Sequence, residues 1–193
     1  TNASLTELNL RHNNLGNVGG VNLANALERN TTLMSLNLGF NRLGDGFGVA
    51  VAGALERNTT LTTLNLYNNG LGEVGGAAVA GALEMNTTLT TLNLYDNSLG
   101  EVGGEAIADA LDRNTTLVEL DVKGNYISQP VLDKIAAQLE GRREKRRNAW
   151  KFSLITNRME RQGDDDDEEL HGRGENWEEP KDKEEEEIET YEL

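Results

Sequence analysis

The chain repeats itself every 28 residues, and no local motif constrains its fold as strongly as that period. Asparagine returns at Asn2, Asn30, Asn58, Asn86 and Asn114. Behind each one, apolar residues fill four columns in register. These are Leu5, Leu33, Leu61, Leu89 and Leu117, then Leu8, Leu36, Leu64, Leu92 and Leu120, then Leu10, Leu38, Leu66, Leu94 and Val122, and last Leu15, Leu43, Leu71, Leu99 and Ile127. A second asparagine column, Asn13, Asn41, Asn69, Asn97 and Asn125, stands between the last two. Each unit therefore opens as LxxLxLxxNxL, and a fixed period of this length marks a solenoid.

Within a unit the apolar period changes. The second and third leucine columns alternate with polar residues, as one face of a short strand does, and the asparagine that follows suits the turn out of it. The second half carries Leu23, Ala24 and Leu27, repeated as Val51, Ala52 and Leu55, as Val79, Ala80 and Leu83, and as Ile107, Ala108 and Leu111. That spacing is a helical stripe. Gly20, Gly48, Gly76 and Gly104, with Ala26, Ala54, Ala82 and Ala110, predict helices packed closely against their neighbours. The founding asparagine is expected to stop each helix in left-handed geometry. One unit buries too few large apolar side chains to offset the ordering of its own backbone, so stability must come from stacking.

Five in-register copies without insertion or deletion resemble the leucine-rich-repeat family, and the strand-turn-helix unit is similar to its ribonuclease-inhibitor-like class. The resemblance covers residues 2–141, as repeats 2–29, 30–57, 58–85, 86–113 and 114–141. It implies an α/β solenoid shaped as a right-handed horseshoe arc, with parallel strands on the concave face and helices on the convex face. Ser128 and Pro130 predict the start of a capping helix, with Leu132, Ile135, Ala136 and Leu139 as its apolar face. Asp133, Lys134 and Gln138 read as the polar surface of a unit on which nothing stacks. Thr1 precedes a unit already in full register, from which upstream repeats are expected.

Charge is segregated. The repeats carry 15 acidic and 7 basic residues, residues 142–163 carry 8 basic and 2 acidic, and residues 164–193 carry 16 acidic and 3 basic, within a net charge of −15. The middle segment reads as a basic extension of the C-terminal cap, with Trp150, Phe152, Leu154 and Ile155 closing the core. Arg142 to Arg147 is also readable as a nuclear import signal or a nucleic-acid patch. The last segment has the composition of a disordered acidic tail, able to fold back on the basic one as an electrostatic latch. There is no cysteine and no apolar run of membrane-spanning length, which suits a cytoplasmic protein without membrane contact. Asn2-Ala-Ser and the four Asn-Thr-Thr sequences match glycosylation acceptors, but the repeat explains their register without sugar.

Catalysis finds no foothold, because acid–base or nucleophilic chemistry needs convergent titratable groups and the histidines, His12 and His171, have no evident partners. Gly44, Gly46 and Gly48 miss the dinucleotide pattern, with Val49 where the third glycine would stand. Asp164 to Asp167 lacks the alternating ligands of a calcium loop. No cofactor or metal is expected.

Binding is expected on the outward strand positions. These form the columns Glu7, Ser35, Thr63, Thr91 and Glu119, then Asn9, Asn37, Asn65, Asn93 and Asp121, and then Arg11, Gly39, Tyr67, Tyr95 and Lys123. The asparagines of the middle column could bond along the sheet as a ladder. Tyr67 and Tyr95 are the expected anchors, since exposed neighbouring aromatics are enriched in binding hot spots. Asn37, Asn65, Asn93, Thr63, Thr91, Arg11 and Lys123 surround them. Five strands about 4.8 Å apart span only roughly 20 Å, so the face is small against a standard interface of about 20 to 30 residues a side.

The expected function is a monomeric, non-catalytic scaffold binding a protein partner, with nucleic acid disfavoured. Two other readings come from resemblance alone. Repeats of this length followed by an acidic tail resemble the Ran GTPase-activating protein family, whose members stimulate GTP hydrolysis by a partner, although no residue here matches its functional loop. Actin-regulatory domains of the tropomodulin type and the ligand-reading regions of nucleotide-binding receptors are built from similar units.

Overall fold

The computed structural model describes residues 3–145. Expectations placed on Trp150, Phe152, Leu154, Ile155, His171 and the acidic segment lie outside those residues. Strands β1 (Glu7–Asn9), β2 (Ser35–Asn37), β3 (Thr63–Asn65), β4 (Thr91–Asn93) and β5 (Glu119–Asp121) alternate with helices α1 (Gly16–Glu28), α2 (Gly44–Arg57), α3 (Gly72–Met85) and α4 (Gly100–Arg113). A fifth helix, α5, begins at 129 and runs to 145. The strands form one parallel sheet in sequence order, and every pairing joins residues 28 apart, such as Leu36 with Leu64 and Asn37 with Asn65. This is the leucine-rich-repeat solenoid, with strands lining the concave side and helices outside. Leu36, Leu64 and Leu92 and the column of Leu38, Leu66 and Leu94 point inward and are buried.

Two columns of asparagine hold the units in register. Asn41 accepts hydrogen bonds on Oδ1 from the N–H groups of Asn13 (2.9 Å) and Leu15 (3.3 Å), and its Nδ2 donates to the carbonyls of Leu10 (2.8 Å) and Leu38 (2.9 Å). Asn69, Asn97 and Asn125 donate in the same way to the preceding unit and to their own. The second ladder uses the founding asparagines. Asn58 donates to the carbonyls of Leu27 (2.8 Å) and Asn30 (3.0 Å) and accepts from the N–H groups of Thr60 and Leu61. These residues do end α2, α3 and α4, but not in left-handed geometry. Asn58, Asn86 and Asn114 are extended, with φ of −73°, −76° and −68°. The reason lies in the side chain, which bonds the next strand's lead-in and needs an extended backbone to reach it. Because these three amides are buried and donate to the preceding unit, a sugar on Nδ2 is incompatible with the folded ladder.

Helices pack at short range where the glycine column predicts it. A Cβ on Gly48 would stand 2.5 Å from the Cα of Gly75, so α2 and α3 touch backbone to backbone. At Gly20, Gly76 and Gly104 the close neighbours are instead side chains of the next unit, chiefly Leu43 and Phe47, Leu99, and Ile127.

Helix α5 closes the stack differently from the sequence expectation. The Ser128 carbonyl accepts from the Leu132 N–H, the N-cap position, but the Ser128 hydroxyl and N–H both donate to the Glu101 carboxylate, at 2.5 and 2.7 Å. Those bonds hold the Glu101 carboxyl below its ordinary pKa. Asp133 and Lys134 are exposed, as expected, and Lys134 and the half-buried Gln138 also reach back to α4, Lys134 to Asp109 at 2.8 Å and Gln138 to Asp112 and to the Ala108 carbonyl. Arg142 falls 28 residues after Asn114, at the place the next founding asparagine would occupy. Its guanidinium donates to the carbonyls of Leu111 and Leu117, so it terminates the second ladder.

Candidate functional site

Two positions in each strand, and a third two residues beyond its end, make up the outward columns, and local hydrogen bonds fix their directions. In the middle column, Asn9, Asn37, Asn65 and Asn93 each accept on Oδ1 from the N–H two residues on, in Arg11, Gly39, Tyr67 and Tyr95, at 2.9 to 3.0 Å. Asp121 does the same for Lys123. No bond joins neighbouring side chains of this column among the described residues. The ladder between units belongs instead to the buried asparagines beyond the strands. The exposed asparagines turn the chain out of each strand and so set where Tyr67 and Tyr95 stand. Thr63 and Thr91 are half-buried beside them, and the Thr91 hydroxyl donates to the Glu119 carboxylate at 3.4 Å.

The tyrosines belong to a longer row. Tyr67 and Tyr95 meet edge to face with centroids 4.9 Å apart, as strand spacing requires of matching positions. Phe40 meets Tyr67 edge to face at 4.5 Å, and His12 stacks on Phe40 at 4.2 Å with planes 10° apart. Arg11 lies 5.0 Å from the Phe40 centroid, within cation–π reach. Column reading missed Phe40 and His12 because they sit one residue after the tyrosine column. Gly39 leaves that column empty in the second unit. Phe40, at φ 59°, and His12, at φ 60°, turn in left-handed geometry. The available signal was that His12 and Phe40 are themselves 28 residues apart.

The row is exposed on one side, with Tyr95 37% accessible and His12 open. Across its first three units, His12, Asn14, Phe40, Arg42 and Asn68 line a cleft of about 300 Å³. Further along, Asn68 donates to Asp96 at 2.6 Å, and the row ends where Gly124 approaches the Tyr95 ring. Arg11 and Lys123, at opposite ends of the third column, are exposed. Among the described residues, no group of three His, Cys, Asp or Glu side chains is arranged to hold a metal ion. None of the described helices is long and apolar enough to cross a membrane.

A family model described as "Leucine Rich repeat" matches residues 1–24, 29–50, 57–80 and 86–108. With the stacked strand-turn-helix units, this identifies the chain as a member of the leucine-rich-repeat family, and its unit is compatible with the ribonuclease-inhibitor-like class. Among solved structures, the chain is similar to leiomodin-1 actin-binding site 2, at 28% identity and a TM-score of 0.70, covering 78% of this chain and 88% of that one. A tropomodulin C-terminal domain from Caenorhabditis elegans shares the fold at 18% identity and a TM-score of 0.68, covering 77% and 90%. No curated protein matches the sequence.

Proposed function

We propose that this chain is a non-catalytic scaffold that docks a protein partner on its concave strand face, with Tyr67 and Tyr95 as anchors. The observation that carries this reading is the continuous row His12, Phe40, Tyr67 and Tyr95 across four units. Such a row offers a large contact area from side chains already held by one another, so little entropy is lost on binding. Asn37, Asn65, Asn93, Thr63 and Thr91 supply polar groups around it. Affinity capture with the wild-type chain and with Tyr67→Ala/Tyr95→Ala tests the reading. Loss of a central aromatic anchor costs about 2 kcal/mol or more, roughly thirtyfold in affinity, so specific partners should disappear from the double variant. An unchanged partner set discards these anchors.

Likeness to a leiomodin actin-binding site favours actin as the partner. Co-sedimentation with actin filaments checks it: the wild-type chain should pellet and the double variant should not. Failure of both to pellet removes actin and leaves the scaffold reading in place. Neither the GTPase-activating nor the receptor reading is favoured by the comparisons.

A further inference from the structure

The repeats are acidic overall, yet only some of their cations are paired, and among the described residues Arg29, after α1, forms no ion pair. On the helices Arg57 pairs with Glu28 at 2.8 Å, Arg113 with Glu84 at 2.6 Å and Lys134 with Asp109 at 2.8 Å. Arg11 on the concave side and Arg42 in the turn between β2 and α2 have no carboxylate partner among the described residues. Arg11 lies over Phe40, and Arg42 reaches only the Asn14 amide oxygen, at 3.4 Å. Both flank the cleft lined by His12 and Phe40. Glu7 shares the outward face of the first strand with Arg11, Asp45 stands three residues after Arg42 at the start of α2, and Asp96 is held by Asn68 at 2.6 Å, yet none of them pairs with either arginine among the described residues. Two unpaired guanidinium groups beside stacked rings favour an anionic ligand that also has something to stack. A chain of net charge −15 repels any polyanion at long range, so an extended polyphosphate is disfavoured and the anion that fits carries only a few charges, matched to the two guanidinium groups, as a short run of peptide carboxylates does.

Resting on the scaffold reading, we infer that the first two units receive an acidic segment of the partner, its carboxylates against Arg11 and Arg42 and an aromatic side chain in the cleft against His12 and Phe40. Arginine suits this place because its planar fork accepts a carboxylate bidentately while its face stacks on a ring. Tyr67 and Tyr95 continue the contact along the row. The acidic segment therefore enters at the first unit and runs across the strands.

Fluorescence anisotropy of the full chain with a labelled short peptide of Asp, Glu and one Trp tests this directly. The wild-type chain should bind it with an affinity that falls as salt rises. Arg11→Gln/Arg42→Gln should lose roughly tenfold or more, since each charge-assisted bond to a guanidinium is worth about 1.5 to 3 kcal/mol. Arg11→Lys/Arg42→Lys should recover part of that loss, and Arg57→Gln/Arg113→Gln, on the helices, should lose nothing. Equal binding of the Asn/Gln version of the peptide overturns the inference, as does tighter binding of a charge-matched single-stranded DNA or no binding at all. The scaffold reading fails separately. If Tyr67→Ala/Tyr95→Ala loses the captured partner while Arg11→Gln/Arg42→Gln keeps it, the face stands and the acidic segment falls.

Discussion

Asn97 is wholly buried, and its side chain joins backbone groups of two units. Its Oδ1 accepts from the N–H groups of Asn69 and Leu71, and its Nδ2 donates to the carbonyls of Leu66 and Leu94. Asn97→Ala strands these groups without water, at about 1 to 3 kcal/mol for each group left unpaired. A loss of about 3 kcal/mol or more is expected in urea unfolding. Asn93→Ala, which removes one half-exposed bond to the Tyr95 N–H, should cost about 1 kcal/mol or less. Equal losses would refute the assignment of the ladder. Sequence reading named both asparagine columns but could not tell which one links the units. Alternation of side chains fixes facing only within the strand, and Asn41, Asn69, Asn97 and Asn125 lie beyond it, in turns whose left-handed residues reverse the direction. His12 and Phe40 escaped for the same reason: a column at constant offset is legible, whereas a side chain delivered into a row by an unusual turn is not.

Between elements, the contact of α2 with α3 sets the thinnest part of the stack. Gly48→Ala places a methyl against the Gly75 backbone, which cannot rotate away, so the helices must part. Overpacking of this kind costs about 1 to 3 kcal/mol. Gly53 sits in the same helix with open space at its Cβ, so Gly53→Ala should stabilise by roughly 0.5 to 1 kcal/mol through helix propensity. Thermal unfolding of the two variants should move in opposite directions, and a matching shift would deny the close approach. Here the sequence was more informative: the helix stripe and the glycine column were legible from spacing, as were Leu132, Ile135 and Leu139 on the apolar face of α5, although Ala136, expected there, is exposed. The stop of α2, α3 and α4 at the founding asparagine was legible too, but its geometry was not. Left-handed geometry is the commoner use of asparagine there, but a side chain committed to the next strand demands an extended backbone. Arg142 was legible only as part of a basic run, because charge gives no hint that it stands in the asparagine register.

Over the whole stack, protection is uneven. The central units bury Leu36, Leu64, Leu92 and their neighbours, while in the first unit Leu8, Leu10, Leu15 and Leu23 are only partly covered and Leu5 is 39% accessible. In a one-dimensional array each unit's stability depends on the neighbours it touches. Amide exchange should therefore be slowest in α2, α3 and β3 and should quicken towards β1 and α1. Uniform exchange would mean that the array unfolds as one block. At the other end, Arg142 takes the donor role of an asparagine but, as a residue of α5, is followed by more helix and not by a strand lead-in. A duplicate of residues 58–85 spliced between the third and fourth units would find matching donors and acceptors on both sides and lengthen the arc by one rung. The same segment appended behind Arg142 would find its socket already filled. Growth of this scaffold, in the laboratory or by gene duplication, is thus closed behind Arg142.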